Sequence, residues 1–269
     1  SMAKPKVGGS VVTIADEAYD ITRLGLSWQT RKSGHRPRMI VQAQSVEDVM
    51  ATVNYAREHR LKLAVRSAGH SWVNSSLRDD SVLIDMGRFR HVSVDSVSRR
   101  ARIGPAVTAR DLLHELKPYG FSFPVAHCGT VPIGGYLLGG GLGWNYQAWG
   151  GMACFCIQGI DVVTADGKVV YADDKQNSDL LWAARGSGPG FFGVVTRFHE
   201  KVNRPPGNKA NAAVYLIEPE VIEWINENKN ATDFSTEVIS SFIGNIATWH
   251  NHSINRDIGT INSLLRAQQ

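Results

Sequence analysis

His70 and Cys128 stand in the two segments of this chain whose composition points most directly to chemistry. His70 lies in Arg66-Ser67-Ala68-Gly69-His70-Ser71-Trp72, where small residues follow an apolar run. Consecutive N–H groups in such a loop can cup an anion with no side chain in the way, and a diphosphate would fit there. Cys128 follows His127 and opens Cys128-Gly129-Thr130-Val131-Pro132-Ile133-Gly134-Gly135-Tyr136-Leu137-Leu138-Gly139-Gly140-Gly141-Leu142-Gly143-Trp144. Nine of the 26 glycines fall between Gly129 and Gly151. Glycine at that density costs conformational entropy, so it needs a reason such as positive φ or close approach of the backbone to a ligand. Taken singly, His70 also fits a hydrogen-bonded loop histidine, and Cys128 a buried small apolar residue.

The elements that must hold these segments can be read from caps and periodicity. Ser45 with Glu47 and Asp48 is a capping-box variant, and Val46, Val49, Met50, Val53 and Ala56 follow at helical spacing, which predicts a helix over 46–59. Apolar runs at Met39–Gln42 and Leu61–Arg66 flank it as strands. Val82–Asp85 and Arg100–Ile103 read as further strands. Thr108 with Asp111 starts a second amphipathic helix through Leu112, Leu113 and Leu116. Ile160–Thr164 and Lys168–Ala172 form a hairpin around Asp166-Gly167. Ser178–Arg185 reads as a helix and Phe192–Val202 as a strand. Parallel and antiparallel pieces therefore mix in one α+β domain. A doubly wound dinucleotide fold is disfavoured, because Gly139-Gly140-Gly141-Leu142-Gly143 comes late in the domain instead of between its first strand and helix.

Composition sets the outer limits. The 269 residues are 43% hydrophobic and 20% charged with a net charge of +4, which describes a folded chain with ample material for a core. No apolar run is long enough to span a bilayer, and the N-terminal residues lack the apolar stretch of a secretory signal. The expectation is a cytoplasmic protein with no membrane partner, and Ser1-Met2 reads as the remnant of a removed tag. Three cysteines, two of them in Cys154-Phe155-Cys156, make no paired framework or metal-ligand spacing, so no metal is expected and Cys154 and Cys156 read as buried apolar thiols. Residues 207–269 hold four Lys+Arg against seven Asp+Glu, and residues 1–206 hold 25 against 18. The shift falls at Arg204-Pro205-Pro206-Gly207-Asn208, a run of breakers that reads as a linker. The basic residues are scattered and not interleaved with aromatics, so no nucleic acid is expected as a partner.

Five motifs in order resemble the flavin-binding domain of the vanillyl-alcohol oxidase and p-cresol methylhydroxylase superfamily, especially its berberine-bridge-enzyme-like branch. They are the Arg66–Ser71 loop, the Cys128–Gly143 run, Val162–Gly167, Ser178–Gly186 and Phe192–Thr196, spanning about Arg38 to Val202. The resemblance implies a two-subdomain α+β FAD-binding domain over 36–206, after an N-terminal extension over 1–35. Residues 207–269 would then be a truncated or incomplete α+β substrate domain, with one helix at Glu220–Asn228 and one strand at Thr236–Phe242.

It further implies an FAD-dependent oxidoreductase, an oxidase that passes a hydride from an alcohol, sugar or amine C–H to flavin N5, with dioxygen as acceptor. His70 occupies the position of the imidazole that carries the flavin 8α-methyl group, and Cys128 that of the thiol that bonds flavin C6 in doubly tethered relatives. Arg66, Ser67, Ala68, Gly69, His70 and Ser71 are the expected diphosphate loop. Thr130, Gly134, Gly135, Gly140 and Gly143 would line the other side of the cofactor, and Gly193 and Val195 its adenine or ribose end. The family's late aromatic base motif is absent, which leaves Tyr136, Tyr146 and His127 as catalytic candidates. Tyr136 stands where many relatives have His. The competing reading is a flavin-binding module without turnover.

Overall fold

The structure is a computed structural model and describes residues 4–144, 146, 149–205, 217–231 and 234–246. The chain divides into two compact units, Ser1–Lys209 and Ala210–Gln269.

The first unit contains two sheets. One is four-stranded in the order β1-β2-β4-β3, with β1 Ser10–Thr13, β2 Met39–Gln42, β3 Leu63–Arg66 and β4 Val82–Asp85. β2, β4 and β3 run parallel, and β1 pairs antiparallel with β2. The other is antiparallel and five-stranded in the order β5-β6-β9-β7-β8, with β5 Val92–Asp95, β6 Arg100–Ile103, β7 Ile157–Val163, β8 Val169–Asp173 and β9 Val194–Lys201. The mixed α+β architecture agrees with the sequence reading.

Helix α1 spans Tyr19–Gly25 and α2 spans Val46–Glu58. The Ser45 hydroxyl accepts the Asp48 N–H at 3.2 Å, as the capping pattern requires. The Asp48 carboxylate accepts from the N–H groups of Gly8, Gly9 and Gln44 at 2.7, 2.9 and 3.0 Å, tying the N-terminal segment to the helix. Residues 10–13 are thus the outer strand of the first sheet, a role that the expectation of an N-terminal extension over 1–35 did not include. The expected strand at Leu61–Arg66 begins at Leu63. Arg60 takes a left-handed φ of 54°, and the Leu61 N–H closes back onto Ala56 O, so the first two residues complete the end of α2.

The apolar stripe of α2 joins the two sheets. Val49 and Val53 pack in one buried cluster with Ile84 and Met86 of the first sheet's side and Val163 and Val194 of the second. The larger core covers the second sheet, where Leu112 and Leu116 of α3 (Ala109–Leu116), Ile133 and Leu137 of α4 (Ile133–Leu138) and Leu181 of α5 (Ser178–Ala184) meet Ile160, Val162 and Phe198. Cys154 and Cys156 are buried in this core.

In the second unit, α6 spans Pro219–Glu227. The expected strand at Thr236–Phe242 is not formed. Phe234–Val238 make a wide helical turn that runs into a short helix, α7, at Ile239–Ser241. The run is rich in β-branched residues, but Phe234, Val238 and Phe242 recur every fourth position, and Phe242 meets Trp224 of α6 edge to face with centroids 6.1 Å apart. Helical spacing of the apolar contacts prevails over β-propensity here. Pro206, Gly207 and Asn208 of the expected linker lie outside the described residues, as do 247–269.

Candidate functional site

β3 ends at Arg66, and the chain then enters the small-residue loop. Arg66 fixes the loop's start, since its guanidinium donates to Asp85 Oδ1 at 2.7 Å and to Leu26 O at 2.9 Å. The side chains of the pair are 14% and 9% exposed. Gly69 has φ +72°, and a Cβ there would lie 1.8 Å from Leu26 O, so both backbone conformation and packing demand glycine. Trp28 N–H donates to Gly69 O at 3.0 Å. The segment after α1 therefore clasps the loop from one side.

Ser67, Ala68, Gly69, His70 and Ser71 all line one cleft of about 570 Å³. None of their five N–H groups donates to a protein acceptor among the described residues. Unpaired N–H groups in a row at a cleft wall make a concave positive surface suited to phosphate oxygens. The opposite wall comes from α4 through Gly134, Gly135 and Tyr136, and from the start of β9 through Gly193 and Val195. Gly134 permits this approach, because a Cβ would lie 2.5 Å from Ser67 Oγ and 2.8 Å from Pro105 Cβ.

His70 is half-buried and held on two sides. Trp28 stacks on its ring with centroids 4.7 Å apart and planes at 20°. Thr130 Oγ1 lies 3.1 Å from Nε2. Burial lowers the imidazole's pKa, and the Arg66 charge lowers it further, so the neutral ring is favoured. Cys128 Sγ lies 3.1 Å from the same Thr130 hydroxyl, which links Cys128, Thr130 and His70 in one chain of contacts. Cys128 is exposed, so the buried-apolar reading of this thiol does not hold.

The other residues singled out from sequence fall in different places. Tyr136 lines the cleft, but its hydroxyl donates to Pro124 O at 2.7 Å. Burial raises its pKa far above the usual 10.0, with the sulfurs of Cys156 and Cys154 adding to the shift. It is a poor proton acceptor in this setting. His127 is exposed and stacks on Trp144 at 4.0 Å outside the cleft lining, and Tyr146 is also exposed outside it. Gly140 and Gly143 do not line the cleft either. Their smallness admits Met152 and Pro124, whose atoms would stand 2.4 and 2.8 Å from an added Cβ. Sequence reasoning missed Pro105, Arg78, Phe191 and Phe192, which also line the cleft. Only Phe192, the first residue of the Phe192–Thr196 motif, carried a signal. No group of three or more potential metal-ligating side chains occurs among the described residues. No helix there is long and apolar enough to cross a membrane.

A cleft between a mixed sheet and an antiparallel sheet, walled by a bare N–H loop on one side and glycines on the other, defines a domain that holds a large phosphorylated cofactor. The comparisons specify it: the model of the FAD binding domain family matches residues 37–173, and the chain belongs to that family. The FAD-linked oxidoreductase nodO of Hypoxylon pulicicidum is 38% identical over 211 residues, which are 77% of this chain and 47% of the relative. The (R)-6-hydroxynicotine oxidase of Paenarthrobacter nicotinovorans is 32% identical over 200 residues, covering 74% of this chain and 43% of the enzyme. Among solved structures, 6-hydroxy-D-nicotine oxidase from Arthrobacter nicotinovorans aligns with a TM-score of 0.69 at 32% identity, over 76% of this chain and 44% of that one. BBE-like 1 of Physcomitrella patens aligns at 0.66 and 30% identity, over 73% and 42%. The chain thus spans under half the length of these relatives. A second family model, described as nucleotidyl transferase, matches residues 186–269.

Proposed function

We propose that this chain carries the FAD site of an oxidoreductase that takes a hydride from an alcohol, sugar or amine carbon and returns the electrons to dioxygen. The observation that carries the reading is the loop Ser67–Ser71, whose five N–H groups donate to no protein acceptor among the described residues and lie along the cleft. A bound flavin supplies the two-electron acceptor, and the protein supplies position and electrostatics. In this reading the loop N–H groups bind the diphosphate, and Arg66, locked to Asp85 and Leu26, keeps the loop in place. Gly134 and Gly135 let the backbone of α4 approach the cofactor, and Gly193 and Val195 flank its far end. His70 is the imidazole tether and Cys128 the thioether tether. Tyr136 walls the cleft with its hydroxyl committed to Pro124, so the proton acceptor for substrate comes from elsewhere in the whole enzyme.

Intact mass of the purified protein after acid precipitation tests the tethers. The expected result is an FAD adduct that survives acid, persists through Cys128 in His70→Ala, and disappears in His70→Ala/Cys128→Ala. Release of all the yellow chromophore into the acid supernatant would overturn both links.

For residues 207–269 the resemblance suggests part of a substrate domain, but the nucleotidyl transferase match over 186–269 favours a second reading. That match begins inside the first unit, where β9 is the middle strand of the second sheet. Only the unit after Lys209 is free to follow it, and it would then bind a nucleoside triphosphate and take no part in oxidation. Hydrogen exchange with and without a magnesium–nucleoside triphosphate separates the two. Protection within 217–246 supports the second reading, and unchanged exchange there removes it.

A further inference from the structure

We propose that Thr130 is a positioning residue that sets both tethers at once, holding His70 with its proton on Nε2 and Cys128 with its sulfur as a hydrogen-bond acceptor. The inference rests on the assignment of His70 and Cys128 as attachment atoms. Thr130 Oγ1 stands 3.1 Å from His70 Nε2 and 3.1 Å from Cys128 Sγ. A hydroxyl has one proton to give and lone pairs to accept with, so it can donate to the ring nitrogen or to the sulfur, not to both.

If it donates to Nε2, the ring proton sits on Nδ1 and the only imidazole lone pair is already engaged. If it donates to sulfur, Nε2–H donates to Oγ1. That second setting frees the lone pair of Nδ1 and stabilises a thiolate, so one hydroxyl orientation prepares both nucleophiles. One neighbour of the sulfur favours it, and two others keep the ring neutral and in place. Burial and the Arg66 charge keep the ring neutral, with one nitrogen protonated and the other free. Trp28 holds the ring plane by stacking. The Arg110 guanidinium packs within 3.5 Å of where a Cβ of Gly129 would be, so a cation lies beside the residue next to the sulfur.

Forming either link replaces a flavin C–H bond with a C–N or C–S bond. With flavin bound, the electron pair would be carried off to dioxygen, released as hydrogen peroxide with one proton from the carbon and one that the imidazole or the thiol has given up to solvent.

Thr130 is exposed, so Thr130→Val and Thr130→Ser are tolerable in the fold. Intact mass after acid precipitation measures flavin attachment in the wild type and both variants. Iodoacetamide labelling against pH measures the thiol in every molecule whose Cys128 is unlinked, with Cys154 and Cys156 buried and silent. Thr130→Val is expected to lose most of the adduct while retaining acid-released flavin, and to label about tenfold more slowly at pH 7 than wild type. Thr130→Ser is expected to restore both. Unchanged attachment in Thr130→Val overturns the proposal, as does unchanged labelling of Cys128 that carries no flavin. A wild type with no adduct refutes the tether assignment separately, and the labelling comparison then decides the role of Thr130 alone.

Discussion

Replacing Gly69 by Ala isolates how the cofactor loop is held. Two costs follow from the geometry. An L-residue at φ +72° pays about 1–2 kcal/mol for left-handed backbone. The new Cβ would stand 1.8 Å from Leu26 O, where real contacts stay beyond 3.0 Å, so that carbonyl must retreat by more than an ångström. Leu26 O is also the acceptor of Arg66 Nε at 2.9 Å, and losing a hydrogen bond to a charged group costs about 1.5–3 kcal/mol. Together these give roughly 3–5 kcal/mol, or a melting temperature lower by roughly 6–20 °C for a unit of this size. Gly135→Ala is the control, because nothing lies within 4 Å of its Cβ. It should hold or slightly raise the melting temperature through helix propensity, while weakening flavin retention because it faces the cleft. Circular dichroism melts with parallel flavin content read both variants. If Gly69→Ala melts with the wild type, the clasp by the segment after α1 is not what holds the loop.

Two further perturbations test the frame around the site. Glu200 is fully buried, neither carboxylate oxygen has a hydrogen-bond partner among the described residues, and burial raises its pKa well above 4.5 against the opposing pull of Arg185. A raised carboxyl pKa means that the folded state binds the proton more tightly, so stability falls as pH rises from about 4.5 toward the folded value. Glu200→Gln should flatten that slope and be more stable than wild type at pH 8, and equal slopes in urea titrations at pH 5 and 8 would contradict this. Asp48 has the opposite sign. Burial pushes its pKa up, but backbone N–H groups of Gln44, Gly8, Gly9 and Ser45 outweigh it and hold the carboxyl below 3.8. Its contribution is therefore present above the ordinary carboxylate pKa and lost as pH falls through the folded value. Asp48→Ala should cost about 2–3 kcal/mol at pH 7 and speed hydrogen exchange across Ser10–Thr13, and unchanged exchange there would refute the tie.

What the sequence revealed depended on whether the signal was local. Ser45, Thr108 and Asp166-Gly167 announce their caps and turn within four residues, and α2, α3 and the β7–β8 hairpin appear where expected. β1, α1 and β5 had no such signal, since β1 and β5 are four-residue edge strands without a buried run. The loop at 66–71 was legible because its small residues are contiguous. Trp28, Pro105 and Arg78 were not, because only the fold brings them to His70 and the cleft. Gly140 and Gly143 show the limit from the other side: density marked them as cofactor glycines, yet their neighbours are Met152 and Pro124.

The strand order of the second sheet also constrains how the protein can be made. β9 is the last strand of the first unit in sequence, yet it is the one to which both β6 and β7 bond. A nascent chain that has emerged only as far as Phe192 holds two separate ribbons, β5 with β6 and β7 with β8, each with a bare edge open to wrong pairing. The wall at Gly193 and Val195 is missing at the same stage, so the cofactor has no complete site to enter. On the proposed function, flavin loading would therefore follow translation of β9, and a chain paused just before Val194 would expose both ribbon edges.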